Sequence, residues 1–257
     1  MAEYFRSRDL TFDISSDTLA AIQHRWRPIL FDSILSLLTV LWPSLLMLIG
    51  LGAGFGLNVL ADQVQREHPG SPHVPQRGLR LMLATALLFG LAGWRFGLTW
   101  RAALSCVYIA VLVLVATTDL EHRIIPHRFI LPAILLAVVA GFCVNWIKWQ
   151  AALLGGVVGL IFFSVAYGFA SVLYPGKIAL GMGDVTLSTF IGLAVGFPSA
   201  LVAVMLGVLM GGLFSLLMLL ARRVTLQTAI PYGPFLVIGG LIALFWGQAI
   251  THWWLGV

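Results

Sequence analysis

From about residue 30 onward the chain consists of long apolar runs separated by short polar breaks. The runs show no two-residue alternation of the kind a β-barrel strand requires, and most approach the roughly 20 residues that carry an α-helix across a bilayer. The breaks place a first span over 34–60, a second over 81–100, a third over 102–118, a fourth over 129–146 and a fifth over 151–173. A longer run over 185–221 has room for two short spans, and Pro198-Ser199 is the natural divide. The eighth span, 235–255, ends in Trp253-Trp254, a pair suited to the membrane–water interface. The pattern therefore predicts an all-α fold, a polytopic membrane helix bundle of about eight transmembrane helices.

Several local features refine this outline. Pro43 predicts a kink in the first span, and Gly50, Gly52, Gly54 and Gly56 permit close approach of a neighbouring helix. Ahead of it, residues 1–28 carry Arg6, Arg8, Arg25 and Arg27 and read as an interfacial segment, with Asp17 capping a short helix over 18–26. The second region, 29–80, comprises the first span and a polar loop over 62–80, broken by Pro69, Pro72 and Pro75. His68 and His73 in that loop read as solvated histidines. Arg95 falls within the second span and is expected to snorkel or lie at the interface.

Composition excludes the ordinary soluble classes. With 60% apolar and 10% charged residues, too little polar surface exists to cover a water-soluble domain. The net charge of +5 does not indicate nucleic acid, because the 15 basic residues are scattered through the connections. They act as topology determinants instead. The loops on the side of 62–80 hold Arg66, Arg77, Arg80, Arg123, Arg128, Lys177, Arg222 and Arg223, against Arg95, Arg101 and Lys148 on the other, which makes the first side cytoplasmic. The four N-terminal arginines vote the other way. Cys106 and Cys143 belong to no CxxC pair and are expected to be buried apolar residues, so neither a disulfide framework nor a zinc site is predicted. The first apolar run is too long for the core of a cleaved signal peptide and is expected to remain as an anchor.

Acidic residues are scarce enough to be informative. Beyond Glu67 there are three: Asp119, Glu121 and Asp184. Asp119 closes the third span and Asp184 opens the sixth, and two crossings between them return the chain to the same membrane face. A carboxylate costs free energy near the bilayer, so two at one depth point to function. Asp184 alone reads equally well as a helix N-cap, whereas Asp119 stands at a helix C-terminus, where the dipole opposes its charge. Two carboxylates sharing one water and one proton can split the work of peptide hydrolysis. The ionised one acts as general base and the protonated one polarises the carbonyl. Gly181 and Gly183 leave room for a substrate strand beside Asp184. Glu121, His122 and His127 read as solvated loop residues before the fourth span. Pro231-Tyr232-Gly233-Pro234 reads as a rigid turn opening the eighth, with Pro231, Gly233 and Pro234 as candidate substrate-lining positions.

Asp119 with Ile125-Pro126, then Gly181-Met182-Gly183-Asp184-Val185, then Ile230-Pro231-Tyr232-Gly233-Pro234-Phe235-Leu236, in that order, resemble the type IV prepilin peptidases, the GxGD-type intramembrane aspartic proteases. Gly52 to Val59 is similar to the family's first-span signature, less faithfully. The resemblance covers 81–257, which it marks as an intramembrane aspartic peptidase core. It implies that Asp119 and Asp184 are the catalytic pair and that the substrates are prepilin-like or pseudopilin membrane proteins. Their short basic leader would be removed at the cytoplasmic face of the inner membrane, with no metal and no cofactor in cleavage. Many members also methylate the new N-terminus and carry paired CxxC zinc ligands after the first span. The 62–80 segment holds no cysteine, so methyl transfer is not expected of this chain. Thr186 stands where the family commonly has Lys, and His127 where Asp or Asn often follows the Ile-Pro pair. Two other readings compete: a GxGD protease that cuts within a transmembrane helix, and a transporter that uses the two aspartates as proton or cation sites.

Overall fold

The structure is a computed structural model that describes residues 16–67, 76–144, 147–173, 181–222 and 231–256, with side chains described from residue 36 onward except at 38, 67 and 255. Contacts divide the chain into two units, Met1–Leu41 and Trp42–Val257. The described residues form eight helices: α1 Ser16–Glu67, α2 Arg77–Phe96, α3 Trp100–His122, α4 His127–Cys143, α5 Trp149–Leu173, α6 Met182–Val195, α7 Ser199–Leu220 and α8 Gly233–Leu255. Six helical stretches are long and apolar enough to cross a membrane, and α4 and α6 are shorter apolar helices. The chain is a multi-pass membrane protein. Its outer surface carries exposed Leu, Val, Phe or Trp side chains on every helix but α6, an arrangement that lipid, not water, solvates.

Three expectations about the first helix change. Asp17 is the second residue of α1 and not the cap of a separate helix, because the helix runs on through Pro43 to Glu67. Residues 62–67, expected in a loop, form the last turns of α1, where Asp62 and Gln65 find a partner in Arg77 at the start of α2. Gly50 and Gly54 do meet a neighbour: a Cβ on Gly50 would stand 2.7 Å from the Ala86 Cα of α2. Gly52 and Gly56 face open space. His68 and His73 lie outside the described residues.

The core of the Trp42–Val257 unit is assembled around α6, the shortest helix, which packs against α4, α5, α7 and α8. Gly155 and Gly159 on α5 and Gly192 on α6 let the two backbones touch, since a Cβ at any of them would strike the partner's main chain. The Ser188 hydroxyl of α6 donates to the Gly159 carbonyl at 3.0 Å across the same contact. Tyr108 of α3 meets Phe190 of α6 edge to face, with ring centroids 5.6 Å apart. The connection from α6 to α7 turns at Pro198, as the sequence predicts. Cys106 is buried, but Cys143 is exposed, because it ends α4 on the outer side of the bundle.

Candidate active site

Asp119 stands one turn before the end of α3 and is 6% exposed; Asp184 is the third residue of α6 and is 7% exposed. The problem of a negative charge at a helix C-terminus is met by a different helix. The first residue of α8, Gly233, donates its backbone N–H to Asp119 Oδ2 at 3.0 Å. The N-terminal turn of α8 therefore supplies the donor and the positive dipole end that α3 cannot. This contact demands glycine, since a Cβ on Gly233 would lie 2.5 Å from Asp119 Oδ2 and 2.9 Å from its Cγ.

Asp184 is not the N-cap of α6; Gly181 is. Its carboxylate reaches back from the N3 position to accept the Gly181 N–H at 3.2 Å, the reciprocal half of a capping box. Gly183 packs on Ile125, whose Cβ would be 2.7 Å from a Cβ at that position. The loop after Asp119 is thereby seated directly under the glycine before Asp184. Thr186 donates to the Gly183 carbonyl at 2.9 Å and so tightens the same first turn.

Tyr232 joins the two halves, and nothing in the sequence reading singled it out. It caps α8 immediately before Gly233, its ring packs on Phe163 of α5 at 5.8 Å, and Gly211 of α7 leaves the space it occupies. The charges of Asp119 and Asp184 act on one another, and that of Asp184 also acts on Tyr232. Residue 233 thus places the start of α8 against Asp119, and residue 232 lies within reach of the Asp184 charge. Burial first, and then the Asp184 charge, push the Tyr232 phenol above its ordinary value, so it remains a proton donor at neutral pH. The folded chain then holds this proton more tightly than the unfolded chain does. Stability is unaffected below about pH 10 and falls as pH rises beyond it. Thermal unfolding midpoints followed between about pH 8 and 11 should decline more steeply in the parent than in Tyr232→Phe. Pro231 and Pro234 are half-buried around this turn, with Pro234 inside the first turn of α8.

Glu121 and His122 are not solvated. Both belong to α3, and their side chains are nearly buried. Glu121 accepts from Arg77 Nη1 at 2.9 Å, and the same guanidinium pairs with Asp62 and donates to Asn58 at 3.0 Å and Gln65 at 3.2 Å. Arg77 at the start of α2 therefore ties the end of α1 to the end of α3, two residues from Asp119. The scarcity of acids beyond residue 67 was the signal for this pair, but not for which of the bases it would meet. Arg77→Ala strands Glu121 beside the apolar core and should lower stability by about 1–3 kcal/mol. Arg77→Lys should recover part of this, since an ammonium cannot reproduce the planar fork. Thermal denaturation in detergent checks both. His127 is exposed.

Among the described residues no group of His, Cys, Asp and Glu is arranged to hold a metal ion.

Residues 106–216 match the type IV leader peptidase family, a segment that includes both aspartates. Over 174 residues the chain is 35% identical to the prepilin leader peptidase/N-methyltransferase of Pseudomonas aeruginosa, covering 67% of this chain and 59% of that one. It is 32% identical over 170 residues to the protein of the same name from Stutzerimonas stutzeri, covering 66% and 58%. Over 173 residues it is 30% identical to that of Bacillus subtilis, covering 67% of each chain. The match thus spans less than two thirds of the length of the first two relatives. No solved structure matches. The ordered motifs, the all-helical membrane bundle and this similarity agree: the chain belongs to the type IV leader peptidase family.

Proposed function

We propose that the chain is an aspartic endopeptidase that removes the short basic leader from prepilin-like or pseudopilin membrane proteins at the cytoplasmic face of the inner membrane. The observation that supports this reading is that two nearly buried carboxylates, each held by the backbone N–H of a glycine, stand close enough for their charges to interact. Asp119 takes the Gly233 N–H of α8, and Asp184 takes the Gly181 N–H of α6.

In the proposed mechanism one aspartate is ionised and takes a proton from the attacking water. The other, protonated, donates to the scissile carbonyl, and the roles reverse as the amine leaves. Asp119 and Asp184 are the catalytic pair. Gly181, Gly183, Pro231, Gly233 and Pro234 line the path of the substrate strand. Gly181 leaves room for its backbone, Gly183 and Gly233 seat Ile125 and Asp119 beside it, and the prolines stiffen the turn that carries Gly233. Residues 81–257 form the peptidase core, 29–80 the anchoring helix with its connection, and 1–28 an interfacial segment. The basic residues at the α1–α2, α3–α4, α5–α6 and α7–α8 connections support a cytoplasmic position for the site.

The relatives' names also include N-methyltransferase. The proposal is confined to cleavage, because the segment between α1 and α2 has no cysteine to supply the zinc ligands that the resemblance places there.

Mapping the cut tests the reading. Incubation of the full chain in detergent with a membrane-anchored prepilin-like substrate should yield one new N-terminus at the boundary between the basic leader and the apolar stem. A product cut deep inside the stem overturns it.

A further inference from the structure

Each aspartate of the pair is anchored by its own bond: Asp119 accepts from Gly233 of α8, and Asp184 accepts from Gly181 at the start of α6. Neither bond joins the segment that carries one aspartate to the segment that carries the other. Ile125 makes that connection. It is buried in the short link from α3 to α4, and Gly183, the residue before Asp184, packs on its side chain. A Cβ added at Gly183 would stand 2.7 Å from Ile125 Cβ, 3.1 Å from Cγ1 and 3.0 Å from Cδ1. The glycine therefore lies flush against three carbons of one side chain.

Both sides of this contact are tied to the aspartates. Arg123, in the left-handed region at φ 57°, turns the chain back and donates its N–H to the Asp119 carbonyl at 2.9 Å. Pro126 caps α4, and its carbonyl accepts from the Phe129 and Ile130 N–H groups at 3.1 and 3.4 Å. Residues 123–126 are thus fixed at one end to the backbone of Asp119 and at the other to a helix that packs on α6. Branching at Cβ restricts the Ile125 side chain at χ1, which makes it a stiff spacer. On the other side, the Gly183 carbonyl accepts from Thr186 within the first turn of α6, the turn that presents Asp184. The charges of the two aspartates act on one another, and that interaction falls with distance.

We propose that Ile125, seated on Gly183, is a positioning residue that sets the separation of Asp119 and Asp184. The assignment rests on the two-aspartate reading above. It gives position 183 a reason to be glycine besides substrate access: its missing side chain lets the turn of Asp184 close onto the segment that follows Asp119.

The full chain in detergent is assayed with a membrane-anchored prepilin-like substrate, and circular dichroism verifies that each variant remains helical. Gly183→Ala wedges the segments apart and should cost on the order of 10²-fold in kcat, with KM changed little, since the reacting groups are displaced by about an ångström. Ile125→Ala leaves the contact slack and should cost roughly tenfold, whereas Ile125→Val keeps the branch at Cβ and should recover most of that loss. In Gly183→Ala/Ile125→Ala the new methyl group has the room vacated by Cγ1 and Cδ1. That variant should be roughly tenfold slower than the parent, where independent losses would multiply to roughly 10³-fold. Gly212→Ala/Ile125→Ala, the control, should match Ile125→Ala.

A second measurement needs no substrate. Infrared titration follows the carboxylic C=O band of the pair, identified by its loss in Asp119→Asn and Asp184→Asn. Coupled carboxylates titrate in two steps, and the interval between the steps shrinks as the groups separate. It should be narrower in Gly183→Ala than in the parent and widen again in the double variant. Arg123 acts on Asp119, and Tyr232 is coupled to Asp184; both are unaltered in every variant. A Gly183→Ala effect confined to KM, losses that multiply in the double variant, or an unchanged titration interval would each overturn the role of Ile125. A parent chain that fails to cut at the leader boundary while the interval shifts as described overturns the proposed function and supports the spacing role.

Discussion

Asp119→Asn and Asp184→Asn should each reduce cleavage of a prepilin-like substrate by at least about 10²–10⁴-fold, the range a positioned acid or base contributes. The change is close to isosteric. An Asn oxygen at 119 still accepts the Gly233 N–H, and one at 184 still accepts that of Gly181, so the folded bundle is preserved while the proton chemistry is lost. Because the proposed mechanism has both residues act on one water, the double variant should be scarcely slower than either single one. Single-turnover cleavage in detergent, with membrane insertion checked by fractionation, measures this. Normal cleavage by either inserted variant would end the two-aspartate reading.

Gly233→Ala tests the geometry instead of the chemistry. The added methyl group would lie 2.5 Å from Asp119 Oδ2, so either the carboxylate swings away or the start of α8 retreats. Displacing a catalytic group by an ångström costs on the order of 10²-fold in turnover. We expect a loss of that size in kcat, with KM changed less, since the contact holds the reacting group and not the distal substrate. Gly212→Ala on α7 is the control. Nothing stands within 4 Å of its added Cβ, and removing a helical glycine should stabilise by about 0.5–1 kcal/mol. Wild-type kcat in Gly233→Ala would show that the Asp119–Gly233 contact is dispensable.

The span boundaries were legible because lipid imposes one rule on every helix: apolar outside, backbone bonded within. The predicted starts of α2 to α8 lie within about four residues of the observed ones, since polar and proline breaks mark where helices leave the apolar layer. The end of α1 was not legible. Asp62 and Gln65 look like loop residues until Arg77, distant in sequence and itself bonded to Glu121, supplies a partner for them. Glu121 and His122 were misplaced for the same reason. A charged residue beside Ile124-Ile125-Pro126 reads as solvated unless the guanidinium that covers it is in view.

Asp184 with its flanking glycines, the scarcity of acids that gave it Asp119 as a partner, and the ordered motifs of the family were all decided by the sequence alone. Spacing counts crossings, and crossings put both carboxylates at one membrane face. What only the tertiary structure decided is how a charge at the wrong end of α3 is tolerated. The answer is a backbone N–H from α8, 114 residues downstream, donated by a glycine whose missing side chain is the condition for the contact. No local pattern encodes that pairing, because it depends on the packing of α8 into the bundle, where Gly207, Gly211 and Gly240 set how closely the helices approach.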